Sequence, residues 1–473
     1  MRRICRRGAV MGVFGAMTTA MSGLRAQSYA LENISGNIAN SRTTGFKRVD
    51  TSFVDLIPDT ASNRELAGSV LARSSLTNSV QGDISSSSIA TNVALNGDGF
   101  FIVAEKTGDL NGQPSFSQAN LYTRRGDFDF DSNGYLVNGS GYFLKGLSVD
   151  PATGAPTSSE AGVVRISNEA LPPKPTTEIE YGATLPATPQ TTNWQNQNGA
   201  AGSELIGPVA NFPGSTAIFP AQIAASDTAA LEARTIQGGT VTAYDTLGRS
   251  APVKLAWAKE VAGLGTDSWG LYVQSDPTAT GAAPMWSRTP GNFTFDANGN
   301  LTANANATLP PITINGITLT GIQLNAGATG NSMKQFGSGL NGQIEANGIR
   351  QNGYAPGVLQ RTAVSDDGRV IGTYSNGQVA TLAQLLTAQF AAPNALKRLD
   401  GGAFAESAES GLPLVGSVSA GGTQLVGGSL EQSNTDIADE FSKMIVTQQA
   451  YSANTRVITT AQQMLTDVIN IIR

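Results

Sequence analysis

The sequence predicts an α+β multidomain protein, in which long terminal α-helices form a coiled-coil-like inner domain and nested mainly-β domains are inserted between them. Apolar residues recur in steps of three and four at both ends of the chain, as they do along one face of a helix. Short alternating runs separated by Gly- and Asn-rich turns fill the middle, where strands are expected. With 473 residues, the chain can bury several cores.

The C-terminal end carries the stronger helical pattern. An apolar stripe in steps of four and three begins at Ile437 and continues to the last residues, and neither Gly nor Pro interrupts it. Ser433 and Asp436 form a capping-box-like start, so we predict one helix, about 50 Å long at ~1.5 Å per residue. The predicted seam of this helix consists of Ile437, Phe441, Met444, Tyr451, Ile458, Leu465, Ile469 and Ile472.

The N-terminal end repeats this pattern more weakly. Gly15, Gly23 and Gly36 lie in the same stretch, and each costs roughly 1 kcal/mol relative to Ala inside a helix. An apolar seam left in water does not offset the entropy lost on ordering a helix, so both seams need a partner. Two arrangements remain open: the two ends pair within one monomer, or the seams pair between subunits and stay disordered until assembly. The predicted N-terminal seam consists of Met17, Met21, Leu24, Leu31 and Ile38.

Two interpretations of the first residues compete. An apolar stretch from Ala9 to Met17 follows a cluster of arginines, as in a secretory signal peptide. Because that stretch continues into the helical pattern without a break, we favour a start at Met11, with residues 1–10 as an upstream extension. No run of about 18 apolar residues occurs, so no membrane insertion is expected.

The middle of the chain predicts strands and tight turns. Asn315-Gly316 between two alternating runs predicts a hairpin, because both residues tolerate positive φ. A strand–turn–strand motif around Asp131-Ser132-Asn133-Gly134 recurs around Asp296-Ala297-Asn298-Gly299. Pro- and Gly-rich stretches mark three predicted domains. They are a terminal helical domain with its connector (1–80 with 425–473), an inner β domain (81–158 with 346–424) and an outer β domain (159–345).

The composition of the chain argues against a catalytic or metal-binding function. The chain has no histidine, which removes the commonest general base and metal ligand, and its net charge of −6 argues against nucleic acid as a partner. Asp129, Asp131 and Asn133 imitate the opening of an EF-hand, but Ser140 stands where the loop needs its Glu, so we predict a β-turn. We therefore predict no catalytic site, no cofactor, no metal and no enzyme activity. Cys5, the single cysteine, cannot form an internal disulfide.

Several segments resemble the rod and hook proteins of the bacterial flagellum, a family of axial structural proteins. The N-terminal resemblance runs from Asn37-Ile38-Ala39-Asn40 to Gly45-Phe46-Lys47, so Asn37, Asn40, Gly45 and Phe46 are identified as family-signature residues. Residues 93–103 and 122–126 resemble the family's first β segment, and residues 433–454 its C-terminal helix. Two further matches, Tyr244 to Gly248 and Leu385 to Gly411, favour the hook members over the much shorter rod members. The family begins near Met11, so residues 1–10 depart from its pattern.

The resemblance implies a structural role. Members assemble into a homopolymer whose terminal helices line a central channel, and the hook is a curved tube that couples rod to filament and transmits torque. The implied partners are rod proteins, the hook cap protein, hook–filament junction proteins and the flagellar export apparatus. The implied location is the basal body and hook, outside the cell after type III export. Alternatives that the residues leave open are a distal rod protein with an enlarged insert and a surface adhesin built on the β domains.

Overall fold

The computed structural model describes residues 5–56, 69–110, 113–207, 212–213, 219–261, 267–328, 330, 332–337, 341–417 and 423–472. The chain divides into two compact units. The first contains residues 1–168, 359–373 and 379–473, and the second contains residues 169–358 and 374–378. The first unit is mixed and the second is mainly β, as the sequence predicts at the level of fold class.

Two long helices lie at the ends of the described chain. Helix α1 spans Cys5–Ala39, and helix α4 spans Ile437–Ile472 without interruption. The predicted capping box is wrong in its register. Asp436, not Ser433, caps α4, because its side-chain Oδ1 accepts the backbone N–H of Ala438 at 2.7 Å. Within the described part of the chain, no helix combines the length and apolar character that a membrane crossing requires.

Between these helices the chain is a succession of short strands. The strands before residue 168 are β1 Val49–Leu56, β2 Ser69–Leu76, β3 Ile84–Ser86, β4 Val93–Asn96, β5 Phe100–Leu110, β6 Gln113–Phe116, β7 Leu121–Thr123, β8 Phe128–Phe130, β9 Leu136–Asn138, β10 Tyr142–Ser148 and β11 Gly162–Val163. The second unit contains two short helices, α2 Thr192–Asn196 and α3 Thr228–Glu232. Its strands are β12 Glu178–Pro186, β13 Gln222–Ala224, β14 Ile236–Tyr244, β15 Ser250–Val261, β16 Ser268–Gln274, β17 Pro284–Arg288, β18 Phe293–Phe295, β19 Leu301–Ala303, β20 Asn306–Thr308, β21 Ile312–Ile314, β22 Ile317–Leu319, β23 Gln323–Asn325, β24 Lys334–Phe336 and β25 Glu345–Gln351.

The strands that follow residue 358 belong to the first unit, apart from the end of β27. They are β26 Leu359–Val364, β27 Arg369–Tyr374, β28 Val379–Gln389, β29 Lys397–Arg398, β30 Ala403–Ala405, β31 Leu414–Ser417, β32 Gln424–Gly427 and β33 Ser429–Glu431.

The first unit is built on one large sheet. Its central order is β26-β27-β28-β10-β5-β7-β30-β29, so three strands from before the second unit lie between strands from after it. Phe100, Tyr122, Leu386 and Phe404 are buried together in its core. The last strands close the unit against early ones, since β32 pairs with β4 and β33 with β3. A separate two-stranded ribbon, β1–β2, leads out from α1.

The second unit has two larger sheets and the small two-stranded sheet β21–β22. A seven-stranded sheet has the order β13-β17-β16-β15-β14 with β18 and β19 attached, and a five-stranded sheet has β20-β23-β12-β24 with β25 attached. Tyr181 of β12 lies in the same buried cluster as Trp257 and Trp269 of the larger sheet. All four tryptophans of the chain, at 194, 257, 269 and 286, belong to this unit.

The predicted turns are confirmed. The turn Asn315-Gly316 joins β21 to β22, with φ values of 52° and 76° that suit these two residue types. The segment that imitates an EF-hand is a hairpin of β8 and β9. Its relative joins β18 to β19, where Asp296 Oδ1 accepts the backbone N–H groups of Asn298 and Asn300 at 2.9 and 2.7 Å.

The Asp296 turn predicts a pH dependence. The backbone N–H of Asn300 donates to the ionised carboxylate and holds the pKa of Asp296 below its ordinary value. A carboxyl whose pKa is lower in the folded state stabilises the fold above its unfolded pKa and loses that contribution as the pH falls through the folded pKa. We expect Asp296→Ala to lower the melting temperature of the second unit at pH 7 and to lower it less at pH 3. Thermal melts followed by tryptophan fluorescence measure this, and an equal loss at both pH values would contradict it.

Candidate assembly surface on the terminal helices

Helices α1 and α4 pack against each other in antiparallel orientation. Asn37, near the end of α1, donates to Glu440, near the start of α4, and Gly23 lies against Asn454. Moving two heptads back along α1, from Asn37 to Gly23, therefore corresponds to moving two heptads forward along α4, from Glu440 to Asn454. The two ends of the chain thus pair within one subunit, which is the first of the two arrangements left open by the sequence.

The stripe that each helix buries in this pair is mostly small or polar, with Ile34 as the large apolar member. On α1 the buried residues follow a step of three or four: Ala20, Gly23, Ala26, Ala30, Ile34 and Asn37. On α4 the internal face has a repeat of seven: Glu440, Thr447 and Ala461 are buried, and Asn454 is half-buried. Small residues let the two backbones approach closely, but they offer little apolar area to bury.

The internal stripe lies one residue before the predicted seam on both helices. On α1 it uses Gly23 and Ala30 where the predicted seam has Leu24 and Leu31, and on α4 it uses Glu440 where the seam has Phe441. A step of one residue turns a helix position by about 100°. The large apolar side chains of the predicted seam therefore flank the contact between the helices instead of filling it.

The predicted seam residues accordingly remain accessible to different degrees. Phe441 is 50% exposed, Met21 47% and Ile469 62%. Ile437 and Tyr451 are also exposed, whereas Met17, Leu24, Leu31, Ile38, Met444, Ile458 and Leu465 are half-buried, and the side chain of Ile472 lies outside the described residues. Further large apolar residues that sequence reasoning did not select are exposed on the same two helices: Phe14, Ile445, Val446, Val457, Met464, Val468 and Ile471.

A polar network fixes one end of the helix pair. The Asn37 side-chain amide donates to Glu440 Oε2 and to the Val49 carbonyl, both at 2.9 Å, and its Oδ1 accepts the Val49 N–H at 2.9 Å. Lys443 bridges Glu440 and Asp50 at 2.9 and 3.0 Å. Burial is the largest single influence on the pKa of Lys443 and lowers it, but the hydrogen bonds and charges of the two carboxylates together outweigh burial and raise the pKa. The network joins α1, α4 and the β1–β2 ribbon.

The ribbon also lies along α1. Three side-chain contacts hold it there: Tyr29 with Ser74 at 2.6 Å, Asn33 with Thr51 at 2.9 Å, and Ser22 with the backbone N–H of Val70 at 3.3 Å. This contact covers part of the α1 surface that α4 leaves open. The exposed apolar residues of α1 and α4, among them Met21, Phe441 and Ile469, form the apolar stripes referred to below.

The other signature residues shape the chain just after α1. Asn40 bonds back to the carbonyl of Gly36 at 2.9 Å, one residue beyond the end of the helix. Gly45 has a φ of 65°, and a Cβ there would lie 2.8 Å from the backbone of Arg124 and Arg125. Phe46 is buried under the guanidinium of Arg398, 4.5 Å from the ring centre. These contacts anchor the segment that connects α1 to the first unit.

A buried ion cluster at this connection escaped sequence reasoning. Glu431 accepts the Lys47 ammonium at 2.5 Å and lies 3.4 Å from the Arg124 guanidinium, and all three side chains are at most 2% exposed. Burial lowers the pKa of Lys47, and the charge of Glu431 opposes that shift. The cluster joins three chain segments that are distant in sequence, so no local pattern marks it.

The comparisons with known proteins cover the whole of this architecture. Four family models match consecutive parts of the chain: Flagella basal body rod protein at residues 17–47, Flagellar hook protein FlgE/F/G D1 domain at 94–180, Flagellar basal body protein FlaE D2 domain at 211–368, and Flagellar basal body rod FlgEFG protein C-terminal at 426–471. The flagellar hook protein FlgE of Salmonella typhimurium is 31% identical over 459 residues, covering 96% of this chain and all of the relative. The chain belongs to the flagellar hook protein family.

Other relatives agree. The hook protein FlgE of Escherichia coli K12 is 30% identical over 461 residues, and that of Brucella suis biovar 1 is 28% identical over 467 residues, in each case over the full length of the relative. A crystal structure of Helicobacter pylori flagellar hook protein FlgE2 superposes with a TM-score of 0.50 at 14% identity, over 72% of this chain and 98% of that one. That likeness shows a shared fold.

Membership of the hook protein family establishes the general role of the chain. It is a structural subunit of the bacterial flagellar hook and assembles as a homopolymer within the hook and basal body. The relatives carry the hook name over their full length, which decides against the rod and adhesin alternatives. The family is one of structural proteins and not of enzymes.

Proposed function

We propose that subunits of this hook-family chain polymerise by packing the exposed apolar stripes of α1 and α4 against the same helices of neighbouring subunits. The observation that carries the proposal is that the helix pair buries mainly small and polar residues internally and leaves many large apolar residues exposed, among them Phe441, Met21 and Ile469. Monomeric soluble proteins rarely expose extended apolar surface, and such surface marks interaction sites.

The predicted seam has the composition that such a contact requires. Its members on α4, among them Phe441, Tyr451 and Ile469, are the large apolar and aromatic residues that dominate interface energetics. Fully burying one such side chain is worth roughly 1.5–3 kcal/mol. A handful of them per subunit, repeated along a polymer, provides a substantial driving force without any disulfide or metal.

Finer features of the family's architecture belong to the same proposal. The helices pack between subunits in a coiled-coil-like inner layer around a channel. Outside it lies the inner β domain, and nested in that domain the outer β domain of about 159–345. The terminal domain comprises 1–80 with 425–473. The subunit leaves the cell through the type III export apparatus and adds beneath the hook cap protein. The finished polymer joins rod proteins to the hook–filament junction proteins and transmits torque.

Phe441→Glu tests the assembly surface. The substitution places a charge on a half-exposed apolar position that lies outside the stripe buried between the helices, so we expect an intact subunit that fails to polymerise. Cells whose single copy carries the variant should lack hooks in electron micrographs of their basal bodies. Gln449→Glu, which adds the same charge at an exposed polar position of the same helix, should form hooks of normal appearance.

Two measurements make the outcome decisive. Circular dichroism of the purified variant should match that of the parent chain, which separates loss of assembly from loss of folding. Normal hooks built from the Phe441→Glu subunit would show that this stripe does not carry the contact. Loss of hooks with both variants would point to a general effect of charge on α4.

A further inference from the structure

The face that α1 and α4 share includes buried polar residues. Glu440 is fully buried, Asn37 is 2% exposed, and they bond to each other at 2.9 Å. Two heptads away, a Cβ on Gly23 would lie 2.9 Å from the Asn454 side-chain nitrogen, so Gly23 leaves the space that Asn454 occupies. Apolar residues at these positions would give a stronger contact, so stability does not explain the choice.

We propose that the pairs Asn37–Glu440 and Gly23–Asn454 set the register of the α1–α4 pair and thereby the alignment of the apolar stripes that it displays. These four are positioning residues for assembly. A polar residue at a helix-contact position can specify one register at some expense of stability. The register itself does not depend on the proposed assembly surface, whereas its consequence for the polymer rests on that proposal.

Sliding the helices by one heptad shows why one register is favoured. In one direction Glu440 would face Ala30 and Asn454 would face Ala16, so a buried carboxylate would lose its amide partner. In the other direction Asn454 would face Ala30, whose Cβ occupies the space that Gly23 leaves free. Both slips bury a polar group without its partner, and both move the stripe of α1 by about 10 Å relative to that of α4.

Cysteine cross-linking measures the register directly. In the full chain with Cys5→Ser, the pair Ala30→Cys with Thr447→Cys reports the native register, because these residues face each other between the two polar pairs. The pairs Ala20→Cys with Ala450→Cys and Ala16→Cys with Val468→Cys report slips of one heptad in the two directions. In the otherwise unchanged chain we expect the native pair to form a disulfide, with the slipped pairs at background.

The decisive variant replaces both polar residues of α4. Glu440→Leu with Asn454→Ala should raise the yield of the slipped cross-links on the order of tenfold relative to the native one, because both polar pairs then lack the α4 member whose loss of a partner penalises a slip. The matched control is Gln448→Leu with Thr455→Ala, which makes similar changes at exposed positions and should leave the native register unchanged. Slipped cross-links that stay at background in the first variant would overturn the proposal.

A second experiment exchanges Gly23 and Asn454 between the two helices. It tests the proposal even if the variant with both Glu440→Leu and Asn454→Ala does not fold. Asn454→Gly alone removes one of the two polar pairs, so the slipped cross-links should rise above background but stay below the level expected when both pairs are lost. Gly23→Asn combined with Asn454→Gly rebuilds that pair with its members exchanged and should return the slipped cross-links to background. Equal slipping in both would overturn the proposal. All of these readings are made on the unassembled chain, so a native register in a subunit that still fails to build hooks would count against the assembly surface and not against the register.

Discussion

Replacing Glu431 by glutamine is expected to destabilise the first unit by about 3–5 kcal/mol, the usual consequence of removing one partner of a buried ion pair. Glu431 is the single carboxylate in contact with Lys47 and Arg124 among the described residues, and its Oε1 also accepts the backbone N–H of Gly82 at 2.9 Å. Glutamine preserves the shape but not the charge, so two cations would remain buried without their counter-charge.

Because the chain has two compact units, the stability of each can be measured separately in the Glu431→Gln variant. Tryptophan fluorescence reports the second unit, because all the tryptophans lie there, and hydrogen exchange of amides in residues of the first unit reports the first. We expect Glu431→Gln to shift the denaturant midpoint of the first unit and to leave the fluorescence transition in place. Adding Lys47→Met should recover part of the loss, because the double variant has the same net charge in the cluster as the original chain.

Asp367→Asn is the matched control for Glu431→Gln. It removes a carboxylate whose ion pair with Arg369 is about half exposed, and such pairs contribute roughly 0–1 kcal/mol. A loss from Glu431→Gln no larger than that from the control would show that the buried cluster does not stabilise the unit through its charges. Failure of Lys47→Met to recover stability would show that the uncompensated charge of Lys47 is not what destabilises the Glu431→Gln variant, and would leave Arg124 as the unpaired cation.

Replacing Gly126 by alanine is expected to cost about 3 kcal/mol or more, at the upper end of overpacking effects. A Cβ at this position would overlap the carbonyl oxygen of Val93 and lie 3.2 Å from the Phe101 ring. Neither can retreat easily: Val93 belongs to β4, which β32 holds in register, and Phe101 is fully buried. Space, and not backbone conformation, makes glycine necessary here, because its φ is outside the positive range.

Gly108→Ala provides the comparison for Gly126→Ala. Gly108 lies in β5 with open space where a Cβ would point and without a positive φ, so alanine should be neutral or stabilise slightly by restricting the unfolded chain. Hydrogen exchange of the β4 and β5 amides measures both variants. If the β4 and β5 amides were equally protected from exchange in Gly126→Ala and Gly108→Ala, the backbone near Val93 would have to move to make room for the added methyl group.

The helix pair connects stability to assembly. The sequence required a partner for each apolar seam, and the two helices do pair, but through the adjacent small and polar stripe. Within the subunit the pair is held by side-chain hydrogen bonds, the ribbon and the anchored connection at Gly45 and Phe46. The large apolar residues are then left on the outside, where we propose that neighbouring subunits cover them. Pairing inside the subunit and pairing between subunits use different stripes of the same helices.

The sequence by itself determined the local elements of this protein. An uninterrupted heptad-like stripe predicts α4, and the Asn315-Gly316 and Asp296 motifs predict hairpins, because helical period and turn chemistry depend on neighbours along the chain. The flagellar signature residues were readable for the same reason. The absence of histidine is likewise a property of the sequence and needed no fold.

The tertiary structure decided which of two adjacent stripes the helices share. Apolar periodicity favours a contact through the large residues of the predicted seam, whereas close approach of the two backbones favours a contact through Gly23, Ala30 and their neighbours. The local sequence does not show which of these two stripes forms the contact. A heptad of Glu440, Thr447, Asn454 and Ala461 was present in the sequence as a weak signal. The Lys47–Arg124–Glu431 cluster gave no signal, because Glu431 is separated along the chain by 384 residues from Lys47 and by 307 from Arg124, and burial sets the energetics of the cluster.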